Sequence, residues 1–200
     1  MKVPSLILLA TFFLSIWHLP VENENLDTLT GSFLMASNQI QDPGFAKTVI
    51  YIVKHDERGA MGVIINRPQN KVSLAEISEM MGWKELSADE TQLNVFYGGP
   101  VESRRSFFLH SSDVLLETSS IVEQGVAFTT DPRLLKSIIQ GQGPKNYIFA
   151  LGYAGWLPNQ LETEIARGSW LTQKADLSSL FSNEPEKIWE LLAGKRIFRL

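Results

Sequence analysis

The chain has 200 residues, 44% hydrophobic, 20% charged and 10% aromatic, with a formal net charge of −4. That length suits one domain with a substantial core, and that composition excludes a disordered or fibrous chain. The absence of cysteine removes disulfides, thiol nucleophiles and thiolate metal sites together.

Lys2 precedes an apolar run from Leu6 to Trp17 that is broken only by Thr11 and Ser15. Residues 6–17 are long enough for the hydrophobic region of a signal peptide but short of the roughly 20 residues of a membrane span. His18-Leu19-Pro20-Val21-Glu22-Asn23 offers no small-x-small cleavage site, and without cysteine there is no lipid-anchor signal. Two readings stay open: export or membrane contact through residues 6–17, or a segment that packs on the domain or follows from an upstream start codon. Residues 1–30 are therefore read as an apolar leader with a polar linker. Residues 31–200 are read as one domain, expected to fold without the leader.

Gly31 to Ala36 reads as a first strand, and Asp42-Pro43-Gly44 as a turn in which the aspartate bonds a backbone N–H two residues on. Lys47 to Val53 has the β-branched and aromatic content of a buried strand. A polar turn, His55 to Gly59, joins it to Ala60–Asn66 as a hairpin. Ser73 and Glu76 have capping-box spacing for a helix that stops at Gly82. Strands follow over Asn94–Gly98 and Ser106–His110, joined through Gly98-Gly99-Pro100, and over Gly125–Thr129. Asp131-Pro132 opens a helix ending near Gly141. Asn146–Leu151 is an apolar strand, Pro158 starts a helix ending at Gly168, and a last helix runs from Pro185 to Ala193 between Asn183 and Gly194. Strands and helices intersperse without a regular βαβ alternation, which predicts an α+β fold with a mixed sheet.

The standard catalytic and nucleotide-binding signatures are missing, so no cofactor is expected. Of the three histidines, His18 lies in the leader. His55, beside Asp56 and Glu57, is either a base oriented by a carboxylate or an exposed turn residue free to titrate. His110 precedes Ser111, Ser112 and Asp113, but members of a triad normally come from separate segments. The alternative is a strand-end histidine, partly buried and bonded to backbone or a hydroxyl. Two histidines without a nearby ligand pattern predict no metal site.

Asn66-Arg67-Pro68 is more informative, because the proline holds Arg67 extended and aims its guanidinium. Such an arginine suits a carboxylate or phosphate ligand, or equally an internal aspartate such as Asp42. Gly152-Tyr153-Ala154-Gly155-Trp156 is expected at a corner between a strand and a helix N-terminus. Two glycines there would let backbone approach a ligand, although Glu162 and Glu164 would compete with an anion. The bland alternative is a tight corner with Tyr153 and Trp156 filling the core. The candidate surface is thus Asn66, Arg67, Gly98, Gly99, Gly152, Tyr153, Gly155 and Trp156, expected to converge on one face for a small ligand or protein partner. Direct nucleic-acid binding is not expected, because Arg104-Arg105 and Lys195-Arg196 with Arg199 are the only tight basic clusters.

Taken in order, many of these segments resemble the AlgH/YqgE family of bacterial proteins, which has relatives in plants. The matching pieces are Asp42-Pro-Gly-Phe45 with Thr48-Val49, His55, Gly59-Ala-Met-Gly62 and Asn66-Arg-Pro68. Gly98-Gly-Pro-Val101, Phe108-Leu-His-Ser111, Gly152 to Trp156 and Gln160-Leu-Glu162 through Trp170 complete them. The resemblance covers about Gly31 to Leu200 and implies a branched mixed sheet, partly closed like a barrel and flanked by helices. It implies a cytoplasmic protein and no established reaction; the family is associated by name with regulation of alginate synthesis, and a transcriptional role has been proposed. Arg105-Ser106 departs from the usual Arg-Gly, and the leader is an extension. The leading expectation is a non-enzymatic regulatory or binding protein; the rival is a hydrolase or transferase using His110 or His55 as base.

Overall fold

The computed structural model describes residues 28–80 and 92–197. Its strands are β1 (Ser32–Ala36), β2 (Val49–Asp56), β3 (Gly59–Ile64), β4 (Pro68–Ser73), β5 (Gln92–Tyr97), β6 (Val101–Ser111), β7 (Ser120–Glu123), β8 (Val126–Thr129), β9 (Tyr147–Trp156) and β10 (Trp170–Lys174). The helices are α1 (Leu74–Met80), α2 (Arg133–Ile139), α3 (Gln160–Ala166), α4 (Leu177–Leu180) and α5 (Ile188–Ile197), the last preceded by a 3-10 turn at Pro185–Lys187. Antiparallel pairing runs β10-β1-β2-β3-β9-β6-β8-β7, while β5 joins β9 in parallel and carries β4 on its other side. The result is an α+β fold with a branched mixed sheet, curled into half a barrel and flanked by helices.

Successive side chains of a strand point to opposite faces, and here both faces are covered. Phe33 and Met35 of β1 pack with Tyr51, Val53, Leu109, Ile188 and Leu192. Leu34 and Ala36 pack on the other face with Ile50, Ile52, Trp156, Leu161 and Trp170. This two-sided burial explains why β1 and β2 are continuously apolar instead of alternating. Each of the large aliphatic side chains, and Phe33, contributes about 1.5–3 kcal/mol on burial. Helix α5 is tied to the sheet by the Trp189 indole, which donates to the Ala36 carbonyl at 2.8 Å.

Several expectations hold at the level of individual bonds. Gly44 N–H donates to Asp42 Oδ1 at 2.7 Å, and the capping box closes with Ser73 N–H to Glu76 Oε2 at 2.9 Å and Glu76 N–H to Ser73 Oγ at 3.1 Å. Others are corrected. Lys47 has φ +56°, so β2 starts only at Val49. It runs on through Asp56, which pairs with Gly59, and the hairpin loop shrinks to Glu57-Arg58. Strands β4, β7 and β10 were not anticipated. Helix α5 continues through Gly194, and Glu184 rather than Asn183 precedes the 3-10 turn, with no side-chain cap. The expected helix stop at Gly82, most of the leader and Arg199 lie outside the described residues. Thr28 to Thr30, before the expected domain start, already bond to the domain through His55. Among the described residues no helix is long and apolar enough to cross a membrane.

Candidate ligand-binding site

Strand β9 does not turn at Gly152 as the corner reading requires; it continues to Trp156. Gly152 is instead where its neighbours change. Phe149–Leu151 pair with β5, whereas Ala154–Trp156 pair with β3. The link from β5 to β6, Gly98-Gly99-Pro100, crosses β9 at this point. Gly98 N–H donates to Leu151 O at 2.8 Å and Ile64 N–H donates to Gly98 O at 2.9 Å, so one residue bridges two strands. A Cβ on Gly152, at φ +77°, would lie 2.2 Å from Gly99 O, and one on Gly99, at φ +149°, 2.2 Å from the Tyr153 carbonyl carbon. Two backbones touch here, and glycine is what permits it.

Asn66 and Arg67 meet the same junction. Tyr97 N–H donates to Arg67 O at 2.9 Å. Their side chains turn to the loop that follows β1. The buried Asn66 accepts from Val49 N–H at 2.8 Å and donates to Lys47 O at 2.9 Å. Arg67 Nη2 donates to Ala46 O at 2.6 Å. The anticipated aspartate partner is replaced by a carbonyl, and Asp42 closes its own turn. Together the two residues hold the backbone that immediately follows Phe45.

The Phe45 ring borders a cleft of about 350 Å³ whose other lining includes Pro100, Trp156, Gln160, Glu164 and Trp170. Trp156 at the end of β9 and Trp170 at the start of β10 flank α3. Both indoles donate to Glu164 Oε2, at 3.0 and 2.7 Å, and Gln160 Nε2 donates to Oε1 at 2.9 Å. The i, i+4 spacing places Gln160 and Glu164 on one face of α3. Exposed Val101 and Pro100, delivered by the glycine crossing, form the opposite rim. Of the predicted surface, Gly155 and Trp156 line this cleft, while Asn66, Arg67, Gly98, Gly99 and Gly152 build its supports. Tyr153 packs edge-on against Phe107 at 5.4 Å. Phe45, Gln160, Glu164 and Trp170 also line the cleft and were not part of the predicted surface. The readable signal was two tryptophans flanking a helix with a glutamine and a glutamate one turn apart.

Both described histidines have their ring nitrogens held by internal partners. His55 is not exposed as expected: its side chain is 9% accessible. Its Nδ1 accepts from Leu29 N–H at 3.0 Å, so the proton sits on Nε2, which faces Glu162 Oε1 at 2.7 Å. The N–H of Glu162 itself, followed by His55, holds that carboxyl below its ordinary range. His110 is fully buried, with Nδ1 3.1 Å from Ser111 O and Nε2 3.4 Å from Ser119 Oγ. Burial pushes its pKa below the ordinary histidine value. Ser111 Oγ donates to Asp113 at 2.5 Å and accepts from Asn146 N–H at 3.0 Å, so it faces away from the imidazole chemistry of a triad. Among the described residues no group of three or more His, Asp or Glu side chains could hold a metal ion. Arg105 pairs with Glu102 at 2.9 Å. A second cavity, of about 330 Å³, lies between α1, α2 and the sheet, lined by Ile77, Val95, Phe108, Leu135 and Phe149.

Residues 33–196 match the AlgH-like family, and the chain belongs to it. A UPF0301 protein of Thioalkalivibrio sulfidiphilus is 42% identical over 166 residues, covering 83% of this chain and 88% of that protein. A UPF0301 protein of Ralstonia pickettii is 40% identical over 162 residues, covering 81% and 85%. The solution structure of AlgH from Pseudomonas aeruginosa superposes with a TM-score of 0.74 at 36% identity, covering 88% of this chain and 92% of that one. A crystal structure of a Corynebacterium diphtheriae protein shares the fold at 19% identity, with a TM-score of 0.64 over 82% and 85% of the two chains.

Proposed function

We propose that this protein is a non-enzymatic, regulatory binding protein whose small ligand occupies the cleft between the Phe45 loop, Pro100-Val101 and α3. One observation carries the reading. Both described histidines have their ring nitrogens occupied by internal partners, whereas the cleft has open volume lined by three aromatic rings. Ligand sites are concave and combine apolar walls with a few convergent polar groups, here Phe45, Trp156 and Trp170 with Glu164 and Gln160. An enzyme needs a base, an acid or nucleophile, and oxyanion donors around one cleft. His110 lacks access and His55 lacks a free nitrogen. The transcription-linked role proposed for the family is compatible with such a protein acting through a protein partner instead of a basic DNA-binding face.

A thermal-shift screen of metabolites on the purified protein tests this, because a ligand stabilises the state it binds. The expected result is a saturable rise in Tm that Phe45→Ala removes. A hydrolase and transferase screen run alongside addresses the rival reading. Robust turnover abolished in a correctly folded His110→Ala or His55→Ala variant would overturn the proposal.

A further inference from the structure

Building on the binding reading above, we infer that the group seated in this cleft is an organic cation: a quaternary or protonated alkylammonium carried by a small molecule. The three rings pack edge to face along one wall of the cleft, the two indoles largely buried and Phe45 half-buried. Phe45 stands at 89° to Trp170 with centroids 6.0 Å apart, and Trp170 stands at 83° to Trp156 at 5.9 Å. A cation is attracted to the electron-rich face of an aromatic ring, tryptophan most strongly.

Glu164 supplies the charge. Three N–H dipoles surround its carboxylate, but among the described residues no lysine, arginine or histidine forms an ion pair with it. The cleft therefore carries one negative charge without a matching cation. A neutral ligand filling the space would strip water from that carboxylate without replacing it, and an anion would be repelled. A cation offsets the desolvation by direct attraction. The indole bonds act in the same direction, because donating an N–H to a carboxylate makes each ring more electron-rich. The volume of about 350 Å³ sits near the lower end of the roughly 300–1,000 Å³ of ligand pockets, which suits a small ammonium compound.

The test uses two probes of nearly equal shape, choline and its uncharged isostere 3,3-dimethylbutan-1-ol. Each is titrated into the full chain while the indole N–H signals are followed by nitrogen-15 NMR. Choline is expected to shift the Trp156 and Trp170 signals saturably, leaving Trp189 unmoved, and to bind at least about tenfold more tightly than the alcohol, equivalent to about 1.4 kcal/mol. Glu164→Gln keeps an acceptor for the indoles and removes the charge, so the preference for choline should collapse. Phe45→Ala, on a partly exposed loop, should weaken choline in a folded protein even where Glu164→Gln is poorly behaved. Equal binding of both probes at these indoles overturns the cation inference while the binding reading stands. No shift with either probe also overturns it. The binding reading falls with it only if the metabolite screen finds no ligand that Phe45→Ala abolishes.

Discussion

Replacing Gly152 by alanine probes the junction on which the fold and the cleft depend. The residue holds φ +77°, and the left-handed conformation costs a non-glycine residue about 1–2 kcal/mol. The new Cβ would also stand 2.2 Å from Gly99 O and 3.0 Å from Val101 O, where ordinary contact begins near 3.4 Å. The crossing segment must retreat by more than an ångström. That movement strains the Gly98 N–H bond to Leu151 O at 2.8 Å and the Ile64 N–H bond to Gly98 O at 2.9 Å, each contributing about 1 kcal/mol net. The expected loss is about 3–4 kcal/mol, a large part of the roughly 5–15 kcal/mol of a typical domain. Gly141→Ala is the internal control, because Gly141 has φ +70° with nothing within 4 Å of an added Cβ, and it should cost only the conformational part. Urea unfolding of both variants against the parent, compared at equal m-value, separates the terms. A Gly152→Ala loss no larger than that of Gly141→Ala would refute the close crossing.

Three further outcomes are expected. His110 has a folded-state pKa below its ordinary value of about 6.5 because burial disfavours its charged form. Below that pH the unfolded chain takes up a proton the folded one resists, so the contribution present at higher pH is lost as pH falls, by at most about 1.4 kcal/mol per pH unit. Urea midpoints from pH 7.5 down to 5 should fall less steeply for His110→Gln, and parallel curves would contradict this. Glu164→Ala should cost about 2–4 kcal/mol by leaving two buried indole N–H groups unpaired, with Glu164→Gln recovering most of it. Denaturation curves in which alanine and glutamine behave alike would argue against that hub. Gly194→Ala, inside α5 with open space around it, should raise stability by about 0.5–1 kcal/mol, and a lower Tm would show that the helix does not continue through it.

Local chemistry was the legible part of this sequence. The Asp42 turn, the Ser73–Glu76 capping box and the β2–β3 hairpin each depend on residues within a few positions of one another. Strand β4, Pro68-Gln-Asn-Lys-Val-Ser73, was illegible because it is largely polar, starts with proline and pairs only with β5. Strand β9 was cut short because Gly152 and Gly155 read as turn residues, whereas Gly152 serves a close backbone contact within the strand and Gly155 lies beside the Tyr153 ring. The supports of the cleft were legible as motifs but not in their roles. Arg67 looked like a ligand residue because its carbonyl partner, Ala46, is 21 positions away in the chain. Glu164 looked like an acid opposing an anion site, and only the fold brings Trp156 and Trp170 to its carboxylate.

The most direct test of the central claim is a structure of the protein bound to the strongest stabiliser from the metabolite screen. The binding account predicts that ligand against Phe45, Trp156 and Trp170, with a polar or cationic atom within hydrogen-bonding or ion-pair distance of Glu164. A ligand seated instead in the cavity beside Phe108 and Phe149, with the aromatic cleft empty, would contradict it.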